Sequence, residues 1–191
     1  ASSIENNEDI YHILGVALDH KLSRKTTVRV REEFIMTDDP EISKGGSVRR
    51  DQTHFINRFS PSIKYDINRK TYVNTRIDHD IKRFDDKAVA NESDEDRIAL
   101  EVMAYHTVAK NTAVNGKLGY TQTDFESKTF GIQRGSDVIR TSLGGERVLN
   151  PALRVGANVG VDMVDHEDPG LGSKTEPYGD VNFTVSPSPA V

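Results

Sequence analysis

Hydrophobic and polar residues alternate strictly along one stretch in the C-terminal third of the chain, from Leu149 to Met163. After the turn Asn150-Pro151-Ala152, every second residue is apolar, and the residues between are polar or glycine. The apolar positions are Leu153, Val155, Ala157, Val159, Val161 and Met163. A two-residue period places these side chains on one face of a strand, because a helix would need apolar positions three or four apart. Proline fixes φ and asparagine tolerates turn geometry, so the stretch is predicted to be an amphipathic β-hairpin.

The same strand–turn–strand unit recurs along the chain. Alternating strands from Ile10 to Leu22 and from Thr26 to Met36 flank Ser23-Arg24-Lys25, and the sequence Leu-Ser-Arg-Lys-Thr at 22–26 is matched by Ile-Asn-Arg-Lys-Thr at 67–71. The units repeat about every 40 residues, which is also a propeller period, but a blade holds four short strands and each unit here holds two long ones. A propeller is therefore not expected.

These units predict an all-β fold: an antiparallel up-and-down meander of about nine or ten long strands, closed into a β-barrel of the outer-membrane type. A single domain is expected over residues 1–191, and the last strand over Tyr178 to Val185. The short turns are placed near 23–25, 68–70, 109–111, 150–152 and 186–189. Longer polar loops are placed at 37–52, 85–96, 125–137 and 165–177. Short turns would then share one end of the sheet and long loops the other, as in transmembrane barrels.

Composition narrows the range of partners. The chain has 191 residues, a formal net charge of -5 and no cysteine. A mildly acidic chain is not expected to bind nucleic acid, which requires a basic face. Without cysteine, disulfides and thiolate metal sites are excluded. The sequence has no apolar run of about 18 residues, which a membrane-spanning helix would need, but β-barrels span membranes with alternating strands.

A resemblance to a known family lies in the strand–short turn–strand unit. Its clearest copy runs from Ser136-Asp137-Val138 through Asn150-Pro151-Ala152 to Gly156, and the next copy covers residues 183–190. In this unit the sequence resembles the β-barrel porins of Gram-negative outer membranes, some of which are associated with polysaccharide export. The resemblance implies a bacterial outer-membrane protein that contacts lipid and passes small polar solutes or polysaccharide. It implies no catalytic residues.

Charged residues between the apolar positions are the candidate site. In a barrel they would line a wet lumen, where rings of charge set selectivity. In a soluble β-sandwich the same residues would form the solvated outer face, and the sequence leaves both interpretations open. The predicted pore-lining residues are Asp19, Lys21, Arg29, Arg31, Lys64, Arg76, Asp78, Arg97, Glu101, Lys117, Arg154 and Asp162.

No metal site, cofactor or enzymatic activity is expected. The acidic loops lack the ligand spacing of an EF-hand, and no Gly-x-Ser-x-Gly elbow or helical histidine pair is present. The acidic segments are Asp38-Asp39, Asp85-Asp86, Asp94-Glu95-Asp96 and 165–168, and the histidines are His12, His20, His54, His79, His106 and His166. Charged clusters in loops are usually only solvated, so metal binding is not expected there.

Three hypotheses for function follow. The first is a porin-like outer-membrane barrel for passive passage or export of small polar solutes or glycan. The second is a soluble periplasmic or extracellular β-sandwich or barrel whose long loops bind a ligand or partner. The third is an engineered barrel derivative without evolved function. Against the first, His12, His20, Glu32 and Asn57 interrupt the apolar stripes, and a charge facing lipid near the midplane costs about 2–4 kcal/mol. The sequence gives no oligomeric state.

Overall fold

Long antiparallel strands make up most of the structure. The computed structural model describes residues 11–37, 53–87, 90, 93–125, 135–150, 152–168 and 170–185, and these residues form nine strands. The strands are β1 (Tyr11–Lys21), β2 (Thr26–Thr37), β3 (His54–Asp66), β4 (Thr71–Phe84), β5 (Glu95–Ala109), β6 (Thr112–Phe125), β7 (Ser136–Asn150), β8 (Leu153–His166) and β9 (Ser173–Val185).

Each strand pairs with the next one along the chain, so the sheet is an up-and-down meander in the order β1 to β9. Every pair is antiparallel. The predicted all-β antiparallel meander is therefore confirmed, and the predicted hairpin Leu149 to Met163 lies within β7 and β8. In the described part of the chain β1 and β9 pair on one side only, so they are the two edges of the sheet.

The first two short turns are each closed by a polar side chain at their first position. Ser23 Oγ accepts hydrogen bonds from the backbone N–H groups of Lys25 and Thr26, at 3.1 and 3.0 Å. Asn68 Oδ1 accepts from Lys70 and Thr71, at 2.8 and 3.0 Å. A side chain that accepts from residues two and three positions on mimics a backbone turn, which explains why serine and asparagine occur here.

Four of the five predicted turns join neighbouring strands. These four lie at 23–25, 68–70, 109–111 and 150–152. The fifth turn, at 186–189, lies outside the described residues, as do residues 38–52 and 126–134 of the predicted loops. The connection from β4 to β5 contains a helical turn, in which the Ala90 N–H donates to Asp86 O at 2.8 Å.

The fourth loop is shorter than predicted. β8 continues to His166 and β9 begins at Ser173, so the loop predicted over 165–177 is wrong at both of its ends. Pro177 pairs with Val161 inside the sheet. A proline is acceptable in β9 because an edge strand has one side on which no N–H is needed.

The two faces of the sheet differ sharply in composition. Residues directly opposite one another in an antiparallel sheet lie on the same face, so the register defines each face. One face, called here the apolar face, carries rows such as Leu100–Tyr120–Ile139–Met163. The opposite face, called the polar face, carries a row through all nine strands. That row is Asp19–Arg29–Ser62–Arg76–Glu101–Gly119–Arg140–Asp162–Glu176.

Burial is the reverse of that in a water-soluble core. On the apolar face Leu118, Leu143 and Val159 are 56%, 70% and 69% exposed. On the polar face Ser142 and Asn158 are 2% and 5% exposed. Among the described residues the buried apolar side chains are Phe84, Ala99 and Ala113. The sheltered face of the sheet is therefore polar, and the face that carries the large hydrophobic side chains is open.

Candidate functional site

The polar face brings together all of the predicted pore-lining residues. Five of them belong to the row that crosses the sheet: Asp19, Arg29, Arg76, Glu101 and Asp162. A sixth, Asp78, lies directly beside this row on β4. The others fall on the same face because the register and the even spacing along each strand put them there. These others are Lys21, Arg31, Lys64, Arg97, Lys117 and Arg154.

Opposite charges are neighbours along the row that crosses the sheet. Arg29 pairs with Asp19 at one edge of the sheet. In the centre Arg76 Nη2 lies 3.8 Å from Glu101 Oε1. Near the other edge the Arg140 guanidinium donates twice to the Asp162 carboxylate, at 2.7 and 2.6 Å. Cross-strand pairing thus places a cation next to an anion on this face.

A second row of alternating charges lies closer to the loops. It runs Glu33–Arg58–Asp80–Arg97 across β2 to β5. Arg58 lies 3.3 Å from Glu33, and Arg97 lies 3.1 Å from Asp80. Exposed pairs of this kind contribute little to stability, because water screens them and holding two long side chains costs entropy. Their main consequence is a hydrated face with little net charge.

A groove of about 810 Å³ lies on the polar face between these rows. Its floor is made of small side chains on neighbouring strands, including Ala99, Gly119 and Thr121. Arg76 and Arg140 stand at its borders. Small residues leave the space that the longer charged side chains surround, so the groove is open and lined by both signs of charge.

Two aromatic clusters on the polar face were missed by the sequence analysis. Tyr72 and Tyr105 stack with ring centroids 4.7 Å apart, and Tyr105 Oη donates to Glu146 Oε1 at 2.6 Å. Arg154 also donates to Glu146, at 3.3 Å. Tyr105 and Glu146 each lie an even number of residues from other polar-face positions on β5 and β7. Extending the two-residue period along these strands would therefore have placed both side chains on the polar face.

The second cluster surrounds Arg140. Its guanidinium carbon lies 4.0 Å from the ring centroid of Tyr178, in addition to its two bonds with Asp162. Tyr178 Oη donates to Asp180 at 2.9 Å. A cation over an aromatic face is attracted to the ring, so Arg140 is held from two sides. Strand β9 therefore contributes side chains to the contacts on the polar face, although it is an edge strand.

A tightly packed polar patch lies between β6 and β9. Asn158 Nδ2 donates to both oxygens of Asp180, at 2.7 and 3.1 Å. Asn115 Oδ1, Ser142 Oγ and Asn158 Oδ1 are buried without a protein hydrogen-bond partner. Side chains in this patch pack closely against glycines of neighbouring strands. Polar groups therefore occupy the space that apolar side chains would fill in the core of a water-soluble protein.

The polar interruptions of the stripes do lie on the apolar face. Glu32 and Asn57 are neighbours there, and Asn57 Nδ2 donates to Glu32 Oε1 at 3.4 Å. His12 and His20 lie opposite Met36 and Val28 on the edge strand β1. These two polar groups on β2 and β3 therefore partly satisfy each other.

The acidic segments that the structure describes make protein contacts. Arg83 Nη2 lies 2.6 Å from Asp96 Oδ2, and the Phe84 N–H donates to Asp94 Oδ1 at 2.9 Å. Within the described residues no group of three or more histidine, aspartate and glutamate side chains is placed to hold a metal ion. Asp38-Asp39 lies outside the described residues. A helix long and apolar enough to cross a membrane is also missing from the described part of the chain.

No protein-family model matches the chain, and no curated protein matches it. The geometry of the sheet is therefore the basis for proposing a function.

Proposed function

We propose that this sheet is the wall of an outer-membrane β-barrel of the porin kind, which passes small polar solutes or glycan through a charged, water-filled lumen. The observation that carries the proposal is the reversed burial, with an open apolar face and a sheltered polar face. A sheet in water normally covers its apolar face, because exposed hydrocarbon costs about 25 cal/mol per Å². Lipid removes that cost.

The apolar face has the dimensions that a lipid-facing surface needs. On β8 it runs from Leu153 to Met163, and a tilted membrane-spanning strand requires about 9–11 residues. On β5 it runs from Ile98 to Val108, interrupted by His106, with Asp96 beyond the first end. The polar interruptions His12, His20, Glu32 and Asn57 lie on β1 to β3, and His79 and His106 lie on the same face of β4 and β5. Strand β8 therefore carries the clearer apolar band.

The lumen in this proposal is the polar face. Alternating charges give it a wet surface with little net charge, and the groove over Ala99, Gly119 and Thr121 gives a path for solutes. Selectivity would come from the groups beside that path, chiefly Arg76 and Arg140. No covalent chemistry is part of the proposal.

Closure of the sheet is part of the proposal as well. Nine strands that alternate in direction leave β1 and β9 running the same way. Direct closure would therefore make one parallel pair, as in the odd-numbered mitochondrial barrel, whereas an added antiparallel strand would make an even number. Either arrangement satisfies the backbone groups of both edges, which lipid requires.

The first test is whether the folded chain needs detergent. We expect it to aggregate in buffer, to fold in detergent with a heat-modifiable shift on gels, and to give discrete conductance steps in planar bilayers. A compact monomer in buffer with a cooperative melt and no conductance would instead support the soluble binding module.

A matched pair of variants on β6 sharpens this test. Leu118→Arg places a charge on the apolar face and should lower the folding yield in lipid, because such a charge costs about 2–4 kcal/mol at the midplane. Thr121→Arg places the same charge in the groove and should leave the gel shift intact. Equal yields for both variants would contradict the assignment of the two faces.

A further inference from the structure

Five cations stand at the tips of the first three hairpins. Arg24 and Lys25 lie in the β1–β2 turn, Arg69 and Lys70 in the β3–β4 turn, and Lys110 in the β5–β6 turn. All five side chains are exposed. These residues are called the basic turn rim.

The turns do not need these cations in order to form. In the first two turns the hydrogen bonds that close the loop come from Ser23 Oγ and Asn68 Oδ1. In the β7–β8 turn Asn150 Oδ1 accepts from the Ala152 N–H at 2.9 Å, and that turn reads Asn-Pro-Ala. The same type of closure thus works without a cation, so closing the turns does not account for the Arg-Lys pairs. Lys25 Nζ does donate to Ile67 O beside the neighbouring turn, at 3.3 Å, and so helps to hold the two turns together.

Backbone bonds hold neighbouring turns in line. The Asp66 N–H donates to Lys25 O, and the Thr107 N–H donates to Lys70 O, both at 2.8 Å. The Val148 N–H donates to Asn111 O at 2.9 Å. Each turn is therefore tied to the strand of the next hairpin, and the cations form a fixed line along one end of the sheet.

Charge of the opposite sign lies at the other end. Asp96 faces Asp124 across β5 and β6, and Asp137 faces Asp165 across β7 and β8. All four lie on the apolar face, at its loop end, where Arg83 pairs with Asp96 alone of the four. The separation of charges along the strands gives the two ends of the sheet different preferred surroundings.

We propose that the basic turn rim binds the phosphate groups of anionic lipid headgroups, an inference that rests on the proposed membrane location. The rim directly borders the open apolar face, since Ile67 and Val108 are exposed immediately before two of the turns. With the apolar face in hydrocarbon, the adjacent cations lie at headgroup depth. Lysine and arginine near an anionic membrane surface each strengthen binding, by about fivefold per residue.

The test measures partition of the full chain into two kinds of vesicle, one of phosphatidylcholine alone and one with about one third phosphatidylglycerol. We expect tighter partition into the anionic vesicles, weakened by added salt because salt screens the attraction. In the variant Arg24→Gln/Arg69→Gln the preference for anionic vesicles should fall about 25-fold. The matched control Lys87→Gln/Lys174→Gln removes the same charge at the loop end and should keep the preference.

Two failures can be told apart by the heat-modifiable shift in phosphatidylcholine vesicles, which reports the barrel alone. If the shift is present but the wild type has no preference for anionic vesicles, the rim proposal is overturned and the barrel stands. If the control variant loses the preference as much as the turn variant does, net charge explains it and the rim proposal is again overturned. If the shift is missing in both kinds of vesicle, the proposed function itself fails.

Discussion

At the scale of single residues, small side chains fix how closely the central strands pack. A Cβ atom added at Gly160 would meet Thr141 O and would lie 2.7 Å from the Cα and Cβ atoms of Ser142. These are atoms of a neighbouring strand that cannot move independently. Glycine at this position is thus required by the close approach of β7 and β8 on the polar face.

Gly160→Ala should therefore destabilise the sheet. We expect a loss of about 1–3 kcal/mol in the free energy of unfolding, because overpacking forces backbone shifts. The measurement is the urea midpoint of the chain folded in detergent micelles. Gly179→Ala is the matched control, since its added Cβ would meet Asn158 O at an ordinary 3.8 Å. A larger loss at Gly179 than at Gly160 would contradict this account.

The sequence carried part of this residue-level detail. Alternation placed Lys117 and Glu101 on one face correctly, because the two-residue period of a strand is a local property. It did not reveal that Arg140 binds Asp162, since the opposing residue depends on the register between strands. The close contact at Gly160 also depends on that register, so neither could be derived from one strand alone.

At the scale of elements, hairpins are specified mainly by their turns. Asn68 closes the β3–β4 turn through two backbone bonds, at 2.8 and 3.0 Å. The identity of the turn residue could be read from the sequence, and so could the strands on either side. The extent of β9 could not, because Pro177 and the nearby Gly170 and Gly172 are typical of loops. Pairing with Val161 outweighs those local preferences.

Asn68→Ala should weaken the β3–β4 hairpin by about 1 kcal/mol, since a typical hydrogen bond contributes about 0.5–1.5 kcal/mol. Asn68→Ser should keep most of the stability, because Ser23 closes the first turn in the same way. Comparing unfolding midpoints of the two variants checks the prediction. If serine were as damaging as alanine, side-chain capping would not explain the turn.

At the scale of the whole molecule, the two faces of the sheet differ in chemistry. Charges on the polar face are nearly balanced, so a pore lined by them should be weakly selective between cations and anions. Thr121→Arg adds a positive charge to the groove and should shift selectivity towards anions, whereas Thr121→Glu should shift it towards cations. Reversal potentials in planar bilayers under a salt gradient measure this. Identical reversal potentials for the two variants would place Thr121 outside the solute path.

The most direct test of the account is to ask which solvent each face meets. The chain has no cysteine, so a single fluorescent label can be attached at Leu118→Cys on the apolar face or at Thr121→Cys on the polar face of the same strand. In lipid vesicles we expect brominated lipid tails to quench the label at position 118 and aqueous iodide to quench the label at position 121. Quenching of both labels by iodide alone, or shielding of position 118 from both quenchers, would contradict the proposed membrane barrel.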